Sequence, residues 1–184
     1  MNKAAFLVDG HLEQKFIQKS CPGRPVQRLE CNGHNVSLSA IAERIETHCR
    51  LFNNRYYPII VVIDREDRRE TSQEISSSLH SLLEQLGIVD TIIIGVTDRT
   101  IENWILADRE IVNQCEYKVK EITISYEGRK GKTVIKKHLR MYHETTDGVD
   151  LLVKCRAGHI KNNSPSFAEF YDQLPINSCP WLNR

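Results

Sequence analysis

The chain has 184 residues, 40% hydrophobic and 27% charged, with 25 basic side chains against 24 acidic ones for a net charge of +1. A chain of this length builds one domain with a sizeable core, and no run approaches the roughly 18–20 apolar residues of a membrane span. The near-neutral balance excludes a uniformly cationic surface and makes the distribution of charge the informative quantity.

The first element is the apolar run AAFLV (4–8), which ends on Asp9-Gly10 and passes into HLEQKF, with Glu13 four residues after Asp9. No small-residue cleavage site precedes the first charges, so no signal peptide is read and the expected location is cytoplasmic. A weaker strand, PVQRLEC (25–31), comes next. SLSAIAERIETHCRLF (37–52) then places Leu38, Ile41, Ile45 and Leu51 near one helical face, with Ser37 or Ser39 as its cap. YPIIVVI (57–63) reads as a strand. TSQEISSSLHSLLEQLG (71–87) is a helix presenting Ile75, Leu79, Leu82, Leu83 and Leu86 and stopping at Gly87. TIIIGV (91–96) closes the series.

The three strong apolar runs are β-branched and lack period-2 alternation, as strands covered on both faces do. Strands alternating with helices predict an α/β fold, a mostly parallel four-stranded sheet flanked by helices with right-handed crossovers. The core is expected to end near residue 112. Beyond it, YKVKEITISYEGRKGKTVIKKHL (117–139) alternates polar and apolar residues and predicts strands or a basic excursion. SPSFAEFYDQL (164–174) predicts a capped amphipathic helix packed back on the sheet. Trp104 is expected in the core, and His11 at an exposed turn.

Six cysteines stand at wide, irregular spacing without a Cys-x-x-Cys pair, which predicts reduced thiols rather than a disulfide framework. Cys31 with His34, and His48 beside Cys49, lack the tight repeated spacing of zinc ligands.

Ligands bind open parallel sheets beyond the carboxyl ends of the strands. Three such ends carry acids here: Asp9 with Glu13, Asp64 with Glu66, and Glu102 in TDRTIENW. Asp64 and Glu66 point to one side if the chain leaves the strand extended. Taken singly, Asp-Gly is an ordinary turn and DREDRRETSQE a solvated, ion-paired loop. Together they predict a carboxylate cleft neutralised by hard cations, Mg²⁺ or Mn²⁺. Two such ions suit phosphodiester hydrolysis.

LVDGHLEQKFI, VVIDRED and TIENWILAD resemble the Toprim domain shared by topoisomerases, bacterial primases and related nucleases. Within it they resemble the nuclease branch named for overcoming lysogenisation defects, the OLD nucleases. Asp9-Gly10 stands where that family has Glu-Gly, Glu13 matches its second Glu, and Asp64-x-Glu66 stands for Asp-x-Asp. Thr100-Ile101-Glu102 resembles Ser-x-Glu, and SPSFAEFYDQL resembles the closing helix of small stand-alone members. The resemblance runs from about Ala4 to Leu174 and implies a Toprim (Rossmann-like) fold. It also implies a metal-dependent nuclease with two Mg²⁺ or Mn²⁺ ions: Asp9 and Glu13 on one, Asp64 and Glu66 bridging or holding the other, Glu102 completing the second site.

The partners implied are nucleic acid, DNA before RNA, an ATPase as in prokaryotic defence systems, and a second copy of the chain. A lysine from beyond the core motifs is implied in catalysis, with Lys137 and Lys154 as candidates. The GRKGKT segment (128–133) is not a P-loop, since Tyr126 stands where the phosphate cradle needs glycine. Its basic residues, Lys130, Lys132, Lys136, Lys137 and Arg140, are instead candidates for phosphate contacts. Two other readings are a binding or regulatory module that kept the fold, and a PIN- or NYN-like ribonuclease, whose later acids follow a different pattern.

Overall fold

The computed structural model describes residues 3–31, 36–175 and 177–183. Four strands, β1 (Lys3–Val8), β2 (Val26–Arg28), β3 (Tyr56–Asp64) and β4 (Ile92–Thr97), form one all-parallel sheet in the order β2-β1-β3-β4. The crossovers carry α1 (His11–Ser20), α2 (Leu38–Phe52) and α3 (Ser72–Gln85). The remainder is helical: α4 (Glu102–Ala107), α5 (Arg109–Asn113), α6 (Gly131–His138), a π turn (Glu144–Gly148), α7 (Val149–Lys154), α8 (Ala157–Asn163), α9 (Pro165–Tyr171) and a closing 3₁₀ turn (Pro180–Asn183).

Successive strand side chains point to opposite faces, and both faces are covered, which explains the unbroken apolar runs. Ala5, Leu7, Ile59, Val61 and Ile94 pack against Ile41 and Ile45 of α2 and Ile75 and Leu79 of α3. Phe6, Val8, Ile60 and Val62 face the other way, onto Leu12 and Phe16 of α1 and the C-terminal third, including Trp104, Ile135 and Phe167. The sheet core and the C-terminal third therefore share one apolar cluster. Within it, Trp104 stacks on Phe170 at 5.6 Å and meets Phe167 edge-on at 4.9 Å.

Local signals set the helix ends. The Ser37 hydroxyl accepts from the Ala40 N–H at 3.1 Å and starts α2, while Thr71 and Glu74 form a reciprocal capping box on α3. Gly87, at φ +74°, ends α3 with the Ile88 N–H donating to the Leu83 carbonyl at 3.0 Å. Ser164 caps α9, as its sequence predicts, and α9 lies so close to β4 that a Cβ on Gly95 would meet the Phe170 ring at 2.7 Å.

Three expectations change. Leu51 is 65% exposed, because the buried stripe of α2 runs Ile41, Ile45, Cys49, Phe52, and Leu51 falls one residue off it. Among the described residues, the alternating stretch 117–139 makes one isolated antiparallel bridge, Lys118 to Leu139, which brackets α6. From Gly131 on, its buried residues, Gly131, Ile135, His138 and Leu139, follow a helical spacing that the polar–apolar alternation conceals. Finally, Cys21 and Cys179 form a disulfide with Cα atoms 4.9 Å apart across a separation of 158 residues, correcting the expectation of reduced thiols. Spacing could not disclose it, since the pair meets only because the C-terminal segment returns over α1. There Trp181 packs edge-on against Phe16 at 4.9 Å. Closing so long a loop stabilises the fold by on the order of 5 kcal/mol in the chain-entropy account. Cys31, Cys49, Cys115 and Cys155 are thiols. Among the described residues, no helix is long and apolar enough to cross a membrane.

Candidate functional site

All five acids singled out in the sequence lie at the carboxyl edge of the sheet or in the turns leaving it. Asp9 follows β1, 8% exposed, and its N–H donates to the Val62 carbonyl at 3.1 Å. Burial is the main cause that pushes its carboxyl up to about 6; the charge of Glu66 adds to this, against a hydrogen bond from the Asp64 backbone and the charge of Arg68.

Glu13 is the third residue of α1 and 5% exposed. Burial, then the charges of Asp9, Glu102 and Glu144, push it up to about 7. Its carboxylate folds back over Gly10: a Cβ there would sit 2.7 Å from Oε2 of Glu13. Gly10 has φ −120° and ψ −178°, a conformation open to any residue. The Asp-Gly pair is therefore no special turn; glycine is needed for the space it leaves. Gly10→Ala is expected to keep a melting temperature near wild type in chelator, since only a flexible side-chain tip must move; a large drop would mean that the Glu13 carboxylate has nowhere to go.

Asp64 closes β3 and accepts a hydrogen bond from the Thr97 hydroxyl at 2.9 Å. Burial and the charges of Glu13, Asp9 and Glu102 raise its carboxyl well above the usual range. Glu66 departs from the sequence rationale, because the chain does not leave β3 extended. It turns at Glu66 into the left-handed region, φ +57°, fixed by the Glu66 N–H on the Arg99 carbonyl at 2.8 Å and by the Arg99 guanidinium on the Glu66 carbonyl at 3.0 Å. Glu66 still acts electrostatically on Asp9 and on Lys132.

Glu102 opens α4, 1% exposed, and accepts the Thr100 hydroxyl at 2.6 Å and the Tyr142 hydroxyl at 3.5 Å. Burial raises its carboxyl, with Glu144 adding and Lys132 opposing. Thr100 of the Thr-x-Glu motif thus orients the acid two residues on. Asp108, from the same motif, has a structural role: Arg156 grips it through Nε at 3.0 Å and a terminal nitrogen at 2.7 Å, fixing the turn between α7 and α8.

Sequence reasoning missed two contributors. Glu144, in the π turn, charges the field at Glu13 and Glu102 and pairs with Lys132. Nothing in ETTDG marks it, because only the fold carries that turn to the site. Asn103, the second residue of α4, is 3% exposed and faces the start of α6; its adjacency to Glu102 was the available signal.

Beside the acids lies a cleft of about 480 Å³ lined by Glu66, Asp67, Arg99, Thr100, Lys130, Lys132, Thr133, Lys136 and Lys137. Four of the five basic candidates therefore meet on one wall, while Arg140 is not among its lining residues. Lys132 joins the two halves: it pairs with Glu144, and Glu102 and Glu66 further favour its charged form. Lys130 pairs with Asp67 at 2.7 Å. Lys137 shares the cleft wall, whereas Lys154 lines another cleft with Cys115, Tyr117 and Asp147. His11 is exposed and meets the Arg28 guanidinium at 2.9 Å.

Among the described residues, no three His, Cys, Asp or Glu side chains are grouped closely enough to hold a metal ion as they stand. Four carboxylates are instead engaged separately: Glu13 over Gly10, Asp64 by Thr97, Glu102 by Thr100 and Glu144 by Lys132. Mutual repulsion between buried carboxylates favours such separation. The donor set, all carboxylate oxygen, fits a hard divalent cation. Of the zinc pairs considered, His34 lies outside the described residues. Burial pushes the Cys49 thiol up to about 12, away from the thiolate a metal needs. No family model matches the chain, and no curated protein or solved structure matches it.

Proposed function

We propose that this chain is a metal-dependent phosphodiesterase of nucleic acid, with a Toprim-like arrangement of acids. The observation that carries the reading is the junction of two unlike sites. Buried carboxylates that raise one another's pKa adjoin a lysine-lined cleft across Lys132 and Glu66. A structural acid cluster needs no phosphate-sized basic cleft beside it, and a phosphate-binding surface gains nothing from a cluster of repelling acids. A phosphodiester with its counter-cations uses both.

Asp9 and Glu13 would hold one Mg²⁺ or Mn²⁺, and Asp64, Glu66 and Glu102 the other. When bound, such ions supply charge at the phosphoryl oxygens and a nucleophile at neutral pH. The chain's own residues do the rest. Thr97 and Thr100 orient Asp64 and Glu102. Lys130, Lys136 and Lys137 neutralise backbone phosphates. Lys132, which pairs with Glu144 and whose charge is felt at Glu102, is the residue proposed to stabilise charge on a phosphate that bridges acids and cleft.

The test incubates supercoiled plasmid, linear DNA and structured RNA with the protein and Mg²⁺ or Mn²⁺, beside Asp64→Ala and Glu13→Ala. The ATPase partner rests on the sequence resemblance alone and enters as a separate arm. Metal-dependent cleavage lost in both variants is the expected result; cleavage persisting in both removes the site. Absence of cleavage in every arm favours the second reading, a phosphate-binding module without hydrolysis. That reading draws on the separate engagement of those four carboxylates.

A further inference from the structure

We infer that Asn103 is the positioning residue that holds the lysine cleft against the carboxylates, an inference that rests on the phosphodiesterase reading. Its side chain uses four hydrogen bonds. Oδ1 accepts from the Thr100 N–H at 3.2 Å and the Gly131 N–H at 3.2 Å; Nδ2 donates to the Tyr126 carbonyl at 3.1 Å and the Arg129 carbonyl at 2.9 Å. One amide thereby ties residues 126–131 to the first turn of α4. The approach is as close as two backbones allow: a Cβ on Gly131 would lie 2.6 Å from the Asn103 backbone nitrogen and 2.5 Å from its Oδ1.

The neighbours of this contact give it functional meaning. Glu102 immediately precedes Asn103, and Lys130 and Lys132 flank Gly131. Fixing Asn103 on Gly131 therefore fixes the separation between one acid of the cation site and two lysines of the phosphate cleft. A buried amide that satisfies three backbone N–H and C=O groups of a surface loop also stops that loop from exchanging them for water. The glycine at 131, read from sequence as half of a failed nucleotide motif, is required here by the close approach.

The experiment compares wild type with Asn103→Ala. It measures single-stranded oligonucleotide affinity in chelator by anisotropy, Mn²⁺ affinity by calorimetry, and the rate of tryptic cleavage after Arg129 and Lys130. The expected result is about a tenfold or greater loss of oligonucleotide affinity, since Lys130 and Lys132 no longer hold their place against the phosphates. Mn²⁺ affinity should stay near wild type and cleavage in the 126–131 segment should quicken. Wild-type protein that binds no oligonucleotide overturns the phosphodiesterase reading itself. Wild type that binds while the variant binds equally well overturns only the role of Asn103. Equal losses of oligonucleotide and Mn²⁺ affinity also overturn it, since a general structural role does that. If Asn103→Ala does not fold, Asn103→Ser serves: it stays neutral, its short hydroxyl cannot span the Tyr126, Arg129 and Gly131 partners together, and it must show the same split.

Discussion

In chelator, the protein is expected to lose stability as the pH rises from about 4 to about 7, and, on the proposed function, Mn²⁺ is expected to restore it at the upper end only. The sign follows from Asp9 and Glu13, whose carboxyls rise to about 6 and about 7 from ordinary values of 3.8 and 4.5. Between the unfolded and folded values the native state holds protons that the unfolded chain has released. Stability therefore falls with pH across that window and levels off above it. At about 1.4 kcal/mol per unit, each group accounts for roughly 3 kcal/mol, and the two overlap because Asp9's charge is one cause of the rise at Glu13. For a domain of this size the summed effect is on the order of 10 °C. His48 and His80, whose burial lowers their values, work the other way over part of the window. Thermal melts of wild type and Glu13→Gln in parallel remove that contribution. On the proposed function a divalent cation binds the ionised carboxylates, so Mn²⁺ should raise the wild-type melting temperature far more near pH 8 than near pH 5. A shift of equal size at both would mean that Mn²⁺ acts elsewhere on the protein.

The parallel sheet was legible because burial on both faces leaves its mark inside each strand. Ala5 and Leu7 face one helical layer, Phe6 and Val8 the other, and no polar residue interrupts the run. The acids were legible for a related reason: charges at the ends of apolar strands are conspicuous. What stayed hidden was whatever depends on a distant return of the chain. Glu144 reaches the acids, and Cys179 reaches Cys21, only through the packing of the C-terminal third. Lys137 stood out among the lysines of its segment, yet it is Lys132, next to the Gly131 that docks on Asn103, whose charge acts on Glu102 and Glu66. The geometry of Glu66 was hidden too, since a left-handed φ at a non-glycine residue leaves no compositional trace.

On the phosphodiesterase reading, neutralising a central acid should stabilise the protein while ending cleavage. Asp64→Asn is the sharpest case. Oδ1 of asparagine can still accept the Thr97 hydroxyl, and its new N–H groups face the carboxylates that now repel Asp64. Burial and three like charges all disfavour the native anion, so removing it should raise the melting temperature in chelator by several degrees. Glu13→Gln should behave alike. It forfeits a favourable charge at the start of α1, worth about 0.3–1 kcal/mol, but relieves roughly 3 kcal/mol of burial and repulsion. Both variants should lose the Mn²⁺-induced shift. Both should also lose nucleic-acid cleavage by at least about 100-fold, the upper end of what a merely supporting group costs. Ordinary core residues show the opposite correlation, because their substitution destabilises the fold and activity falls with it. A melting temperature lowered in both variants would place these acids in the scaffold. A raised one with lost Mn²⁺ response would mean that the fold tolerates their repulsion for the sake of the cation they bind.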